Sequence, residues 1–298
     1  MEKEKTPRCP LESLACVEST CELYGQAGQG NLTERKTYGK DEIRYLRCQR
    51  CGSEFSERKN TALWNTKIRE AKAIAVTEHL TEGCSNKGTA RLVRVDPSTV
   101  RRLNKCAGRH GAAYHNEHAQ ELDVEALQGD ERHGYAGSKS QPAWEAELID
   151  PESKFIVSHV QGKRDQVLIE RLLEDGVERL STPQDLVLMT DGDANYASLF
   201  PEIFGEPYQP SRQGTQGRFP KTRYRIPRSL AHVQVIKRRE KRRLVQIEVR
   251  YTHGSKKRVN QALKRLGYSV PNTSAIERYN GTARRMGVFQ IRKTLAFA

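Results

Sequence analysis

The sequence predicts a multidomain chain of mixed α+β and α/β class: a small cysteine-bearing module, a helical segment, then a larger domain of strands followed by helices. Three observations support this. Residues 1–60 hold five of the seven cysteines and show little periodicity. Residues 66–110 place apolar side chains near helical spacing. From about residue 124, short apolar runs bounded by turn residues alternate with amphipathic stretches.

In the first module, Cys16 and Cys21 form one pair and Cys48 and Cys51 another, separated by a segment rich in Gly, Lys and Tyr. Four thiolates satisfy tetrahedral Zn²⁺, and a closed four-ligand site stabilises a module too small to fold on its core alone. A zinc ribbon over 1–60 is therefore expected, with Cys9 as an alternative to Cys16. Cys84 and Cys106 have no partners in sequence and read as small buried residues.

The next segment reads as three helices over 66–110. KIREAKAIAVTEHL places Ile68, Ala71, Ala75 and Leu80 on one side, Gly83 breaks it, and Ser85 can cap a second short helix. Asp96-Pro97 opens a third, with Asp as N-cap and Pro at the first helical position. Val100 and Leu103 face inward there. Ser98, Thr99, Arg101, Arg102 and Lys105 face out, as the third helix of a helix-turn-helix would present them to a DNA major groove. Residues 111–123, polar and His-rich, read as a linker.

From 124 to 298 the order is strand, strand, strand, helix, strand, helix. VEALQGD, AWEAELID and KFIVSHV are the first three strands. RDQVLIERLLEDGVERL is a helix burying Leu168, Leu172, Leu173, Val177 and Leu180. DLVLMTD is a buried strand and YASLFPEIFG a short helix. This βββαβα order fits a ribonuclease-H-like architecture. A basic insertion is expected over about 212–265, where eighteen Lys and Arg face only Glu240 and Glu248. Within it AHVQVIKRREKRRLVQIEVRY reads as a β-hairpin. Two helices follow, in SKKRVNQALKRLGY and NTSAIERYNGTARRM.

Charge narrows the function classes. Lys and Arg number 51 against 37 Asp and Glu in 298 residues, a net charge of +14. Such a surface attracts polyanions through counterion release. Mean hydropathy is −0.77, and no apolar run approaches the roughly 20 residues a membrane span needs. No membrane association is expected, and the cytosol is the expected compartment.

Three carboxylates stand in distinct settings. Asp130 closes the first strand, with Glu131 directed to the opposite face of the sheet. Asp191 closes the buried fourth strand before Gly192, and Asp193 follows. Glu277 sits in a helix capped by Asn272, Thr273 or Ser274, among Arg278, Asn280, Arg284 and Arg285, which are placed to meet phosphates. Carboxylates at strand ends and on one helix can hold paired Mg²⁺ (or Mn²⁺) ions that cut and join phosphodiesters. The sequence alone leaves three readings: a strand-transferring enzyme, a DNA-binding regulator without catalysis, or a structure-selective nuclease.

The segments CVESTCELYG, RYLRCQRCGSEF, GTARLVRVDPSTVRRL, DERHGYAGSK, LMTDGDANY and PNTSAIERYNGTARR run in the order of a known family. Through them the chain resembles the insertion-sequence-one type of transposase, within the Asp-Asp-Glu class. The resemblance implies that Asp130, Asp191 and Glu277 are the metal ligands. It also implies that the zinc and helix-turn-helix modules bind terminal inverted repeats in double-stranded DNA. Family members join the cleaved ends to target DNA and work as homo-oligomers. Two departures stand out: the residues after Asp130 lack the Trp often found there, and Asp193 replaces a residue that is often aromatic.

Overall fold

In the computed structural model of the chain, the residues described are 9–39, 41–135, 140–212, 219–241 and 243–287. Contacts divide the chain into two units between Glu117 and His118.

The first unit begins with an antiparallel three-stranded sheet in the order β1 (Leu32–Tyr38), β2 (Ile43–Cys48), β3 (Glu54–Ser56). Its core is small: Leu32, Leu46 and Phe55 pack against Cys16, Cys21 and Cys48. Three helices follow, α1 (Glu70–Thr81), α2 (Asn86–Val93) and α3 (Pro97–His118). The Ser85 hydroxyl accepts from Gly88 N as the α2 cap, and Asp96 Oδ1 accepts from Ser98 N at 2.7 Å to open α3. Ala73, Val76, Ala90, Val100 and Leu103 form the shared core.

Three sequence expectations shift here. The buried side of α1 is Ala73 and Val76 with Leu80 alongside, and Ala71 is exposed. The helix starts at Glu70, so Ile68 precedes it and does not set its phase. The expected linker over 111–123 begins as helix, because α3 runs on to His118 with a mainly exposed polar surface. Cys84 and Cys106 are only half-buried.

The second unit is built on a six-stranded mixed sheet in the order β11-β10-β7-β4-β5-β6. The strands are β4 (Ala126–Tyr135), β5 (Pro142–Ile149), β6 (Ile156–Gly162), β7 (Val187–Thr190), β10 (Ala231–Glu240) and β11 (Arg243–His253). The first three form an antiparallel meander, while β7 runs parallel to both β4 and β10. Helices α4 (Gln166–Glu178) and α5 (Ala194–Phe204) cover one face. There Leu168, Leu172, Phe200 and Phe204 pack on Leu127, Leu148 and Leu188. Helix α6 (Lys256–Arg265) covers the other through Val259, Ala262 and Leu263 against Ala126, Val187 and Val233. Helix α7 (Ser274–Met286) docks on that face through Ala275 and Ile276 against Ile149.

Two glycines mark close approaches. A Cβ at Gly176 would lie 2.5 Å from Leu148 Cδ1, so its absence lets α4 sit against β5. Gly254, at φ +75°, turns the chain from β11 into α6, where a Cβ would lie 2.2 Å from Leu230 O.

The basic stretch 212–265 is not an insertion as a whole. Strand β10 is interior to the sheet, pairing Ala231–Gln234 with Val187–Thr190, and α6 completes the core of one face. Counting charge over the window hid the buried Val233 and Val235. What lies outside the core is the far end of the β10–β11 hairpin and a short ribbon of β8 (Glu206–Tyr208) with β9 (Arg223–Arg225). No helix among the described residues is long and apolar enough to cross a membrane.

Candidate functional site

Two groups of side chains have the chemistry to hold metal. The first is formed by Cys16, Cys21, Cys48 and Cys51, whose sulfurs all lie within 4.8 Å of one another. Cys16 Sγ lies 3.7 Å from Cys51 Sγ, and Cys21 Sγ lies 4.0 Å from Cys48 Sγ. Tetrahedral Zn²⁺ with Zn–S near 2.3 Å requires sulfurs about 3.8 Å apart, so the cluster can form a zinc site. The local folding follows from the knuckles. After Cys51, Gly52 adopts φ +77° and donates its N–H to Cys48 O, folding the chain back so that both thiols reach the other cysteine pair. Gly25 N donates to Cys16 O and closes the first knuckle.

The thiols differ in readiness to ionise. A hydrogen bond from the Leu23 backbone favours the Cys21 thiolate, yet burial and the neighbouring cysteines push this thiol up to about 12. Burial opposes ionisation at Cys48 too, but there hydrogen bonds from the Cys51 backbone, the Asn31 amide and the Arg50 backbone bring it down to about 6. Asn31 Nδ2 lies 3.2 Å from Cys48 Sγ, a partner of the kind that fixes a metal-bound thiolate. Cys9 lies outside the cluster: its thiol meets Ser13 Oγ at 2.8 Å.

The second group comprises the acids of the large sheet. β7 pairs with β4 as far as Gly129↔Thr190, so Asp130 and Asp191 stand side by side one step beyond that pairing. Asp130 does not close its strand. β4 continues to Tyr135 because β5 pairs with it along the whole length from Gln128 to Tyr135. By the two-residue period of strands, Asp130 lies on the same face as Ala126 and Gln128, which is the face covered by α6 and α7. Glu277 reaches that face from the first turn of α7, where Thr273 Oγ1 donates to its Oε1 at 2.6 Å. Asp191 Oδ1 accepts from Asp193 N at 2.9 Å, and Asp193 in turn caps α5.

These acids act on one another. Burial first, then the charges of Asp191 and Glu277, push Asp130 up to about 6. Burial also raises Asp191, with Asp193 and Glu277 contributing. Burial opposes ionisation of Glu277 as well, but Lys237 and Thr273 outweigh it and lower its pKa. Lys237 Nζ, from the end of β10, makes an ion pair with Glu277 Oε1. Among the described residues the four cysteines are the one metal-type set packed within 4.8 Å, and the three carboxylates do not form so tight a set. Carboxylates that raise one another's pKa, as Asp191 and Glu277 do at Asp130, are nevertheless what a hard divalent ion neutralises, so these residues fit Mg²⁺ in charge and donor type.

On the opposite face Glu131 is buried beside Tyr196. Burial and the charge of Asp191 raise it to about 7, while the Tyr196 hydroxyl opposes the shift. Its Oε2 lies 3.7 Å from Arg164 Nη2, which is equally close to Asp193.

The remaining candidates separate into two sets. Ser98, Arg101, Arg102 and Lys105 are exposed on α3 and line a groove of about 850 Å³ with Trp64 and Arg109. Arg102 Nη2 also donates to Asn65 O. Thr99 lines a second groove with Lys67, Arg69 and Lys72. In α7, Arg278 and Arg285 are exposed and Arg284 is half-buried. Asn280 overturns its expected role at phosphates: it is 3% exposed and inserted between Asp130 and Arg132. Arg132, which holds Asn280, and Glu145 and Glu147, which hold Arg132, carried no sequence signal as site residues. Comparison with models of known protein families and with curated proteins found no match to this chain.

Proposed function

We propose that this chain is a divalent-metal-dependent DNA transposase, cutting and joining strands on a ribonuclease-H-like sheet while its N-terminal modules hold the DNA. The observation that carries the reading is the placement of Asp130 on β4 and Asp191 just past the end of the parallel β7, one step beyond their last pairing and within electrostatic reach of Glu277. The strand order β6-β5-β4-β7-β10, with an antiparallel meander followed by parallel additions, supports the catalytic fold.

In this reading Asp130, Asp191 and Glu277 hold Mg²⁺ or Mn²⁺. The bound ions supply Lewis acidity at the phosphodiester and a deprotonated oxygen nucleophile, water or a DNA 3′-hydroxyl. The chain's own residues do the rest. Lys237 neutralises Glu277 until cations enter. The far end of the β10–β11 hairpin, with Arg238, Arg239 and Arg243, and the exposed Arg278 and Arg285 attract the DNA backbone. The zinc ribbon over the four cysteines and α3, as the third helix of a helix-turn-helix, engage double-stranded terminal repeats through Ser98, Thr99, Arg101, Arg102 and Lys105. The active form is a homo-oligomer, so that two DNA ends are processed together.

The test uses the zinc-loaded full chain, Mg²⁺, and duplex DNA ending in the short inverted repeats that bracket its gene. Joining of 3′-hydroxyl ends to a target plasmid is the expected result. Nicking without joining would replace this reading with a nuclease. Binding with neither reaction, in Mg²⁺ and in Mn²⁺, would leave a DNA-binding regulator.

A further inference from the structure

The Asp130 carboxylate is held from both sides. Its Oδ1 accepts from Glu131 N at 2.9 Å, and its Oδ2 accepts from Asn280 Nδ2 at 2.8 Å. An Asn side chain can face a partner with either its oxygen or its nitrogen. Here the choice is forced, because Arg132 Nη1 lies 3.0 Å from Asn280 Oδ1 and a guanidinium only donates. The amide oxygen must therefore face Arg132, which turns the NH₂ onto Asp130.

Arg132 is itself fixed. It is 2% exposed, its Nε lies 3.0 Å from Glu145 Oε2 and its Nη2 lies 2.6 Å from Glu147 Oε1. Glu145 is its direct cross-strand partner on β5, and Glu147 stands two residues along the same face. The Tyr279 ring covers the guanidinium at 5.5 Å. Buried ionic networks of this kind stabilise little in themselves, but they define geometry sharply, and here Nε, Nη1 and Nη2 of Arg132 each have an acceptor. Asn280 lies three residues after Glu277 on α7, so both project from one side of the helix.

We infer that Asn280, locked by Arg132, is a positioning residue that presets the Asp130 carboxylate and ties the first acid to the helix bearing the third. Each Asp130 oxygen spends one lone pair on its protein donor and keeps another for a metal ion. The inference rests on the triad reading above and adds to it the group that orients the first ligand.

The experiment measures Mn²⁺ binding to the zinc-loaded full chain by electron paramagnetic resonance. Mn²⁺ is a hard ion and a poor match for the four thiolates. Wild type, Asp191→Asn, Asn280→Ala and Asn280→Ser are compared, with thermal midpoints recorded for each. Serine is one bond shorter than asparagine and reaches neither Asp130 nor Arg132 as the amide does, but its hydroxyl can hold water in the vacated space, so it serves if the alanine variant fails to fold.

Groups that orient metal ligands are worth roughly 10- to 100-fold in affinity. The expected result is Mn²⁺ binding at least about tenfold weaker in the Asn280 variants, with midpoints close to wild type. Loss of binding in Asp191→Asn but wild-type affinity in a folded Asn280 variant would overturn the inference and leave the triad standing. Wild-type affinity in Asp191→Asn, or no binding by wild type, would remove the triad reading and this inference with it.

Discussion

The two candidate metal sites in this chain are built on opposite electrostatic plans. Four cysteine sulfurs already lie within 4.8 Å of one another, while three carboxylates share a face of the sheet without closing to that distance. Cys16 and Cys21 are pushed toward the protonated form, which limits repulsion with the Cys48 thiolate, so a ribbon can gather the four sulfurs before metal arrives. Ionised carboxylates repel at short range, and Lys237 stands in at Glu277 as a provisional counter-charge. One site is closed and buttresses a sheet with little core of its own. The other is open, buttressed by a sheet that is stable through its own packing.

If that contrast is right, zinc removal gives the largest effect. Chelation, or Cys48→Ser, should unfold the ribbon, since structural Zn²⁺ supplies on the order of 10 kcal/mol to modules of this size. Loss of amide-exchange protection over β1–β3, with β4–β7 still protected, is the expected pattern. Retained protection in the ribbon would mean its small apolar core suffices. The converse experiment is Leu188→Ala, which deletes a side chain buried between β7 and the α4–α5 layer. It should cost about 2–5 kcal/mol in the thermal stability of the large unit whether or not zinc is bound.

Asp191→Asn should leave the fold intact and reduce strand cleavage at least about 100-fold, because even groups that only orient metal ligands are worth roughly 10- to 100-fold. DNA binding, measured by gel shift, should stay at the wild-type level. A variant that cuts normally would break the assignment of the open site.

How much of this was legible in sequence follows the same division. The cysteine pairs announced themselves because a knuckle is local: spacing and a following glycine are enough. The acids at 130 and 191 were legible as the ends of apolar runs. What was hidden depended on distant pairing. Asp130 looked like a strand terminus, but β5 pairs on to Tyr135 and draws β4 past it. The β10–β11 hairpin was legible as a hairpin, but the charges around its turn obscured that the first half of β10 pairs with β7 at the centre of the sheet. The last turns of α3 have no apolar stripe, so periodicity was silent there. Asn280 looked like a phosphate contact among arginines, and its actual partner, Arg132, lies 148 residues away.

Acidity probes the open site more gently. Asp130 titrates near 6 in the folded chain against an ordinary value of 3.8, so between those limits the folded state binds more protons than the unfolded one. Stability therefore falls as pH rises from about 4 through about 6, and recovers as pH is lowered. In metal-free buffer the thermal midpoint of wild type minus that of Asp130→Asn should decline over that window. Saturating Mg²⁺ should flatten the decline by supplying the missing positive charge. A difference independent of pH would show that Asp130 does not carry the uncompensated charge attributed to it.

The smallest expected effect lies in the groove along α3. Arg101 and Lys105 are exposed there beside Trp64. If each meets one phosphate, replacing either with Ala should reduce the slope of log affinity against log salt by about 1, because one fewer counterion is released. The loss should be similar for repeat and unrelated DNA, whereas a base contact would weaken repeat DNA selectively. Applied one residue at a time, the measurement sorts the α3 side chains into those that hold DNA and those that read it. Arg102, whose guanidinium already donates to Asn65 O, should change the slope least of the three.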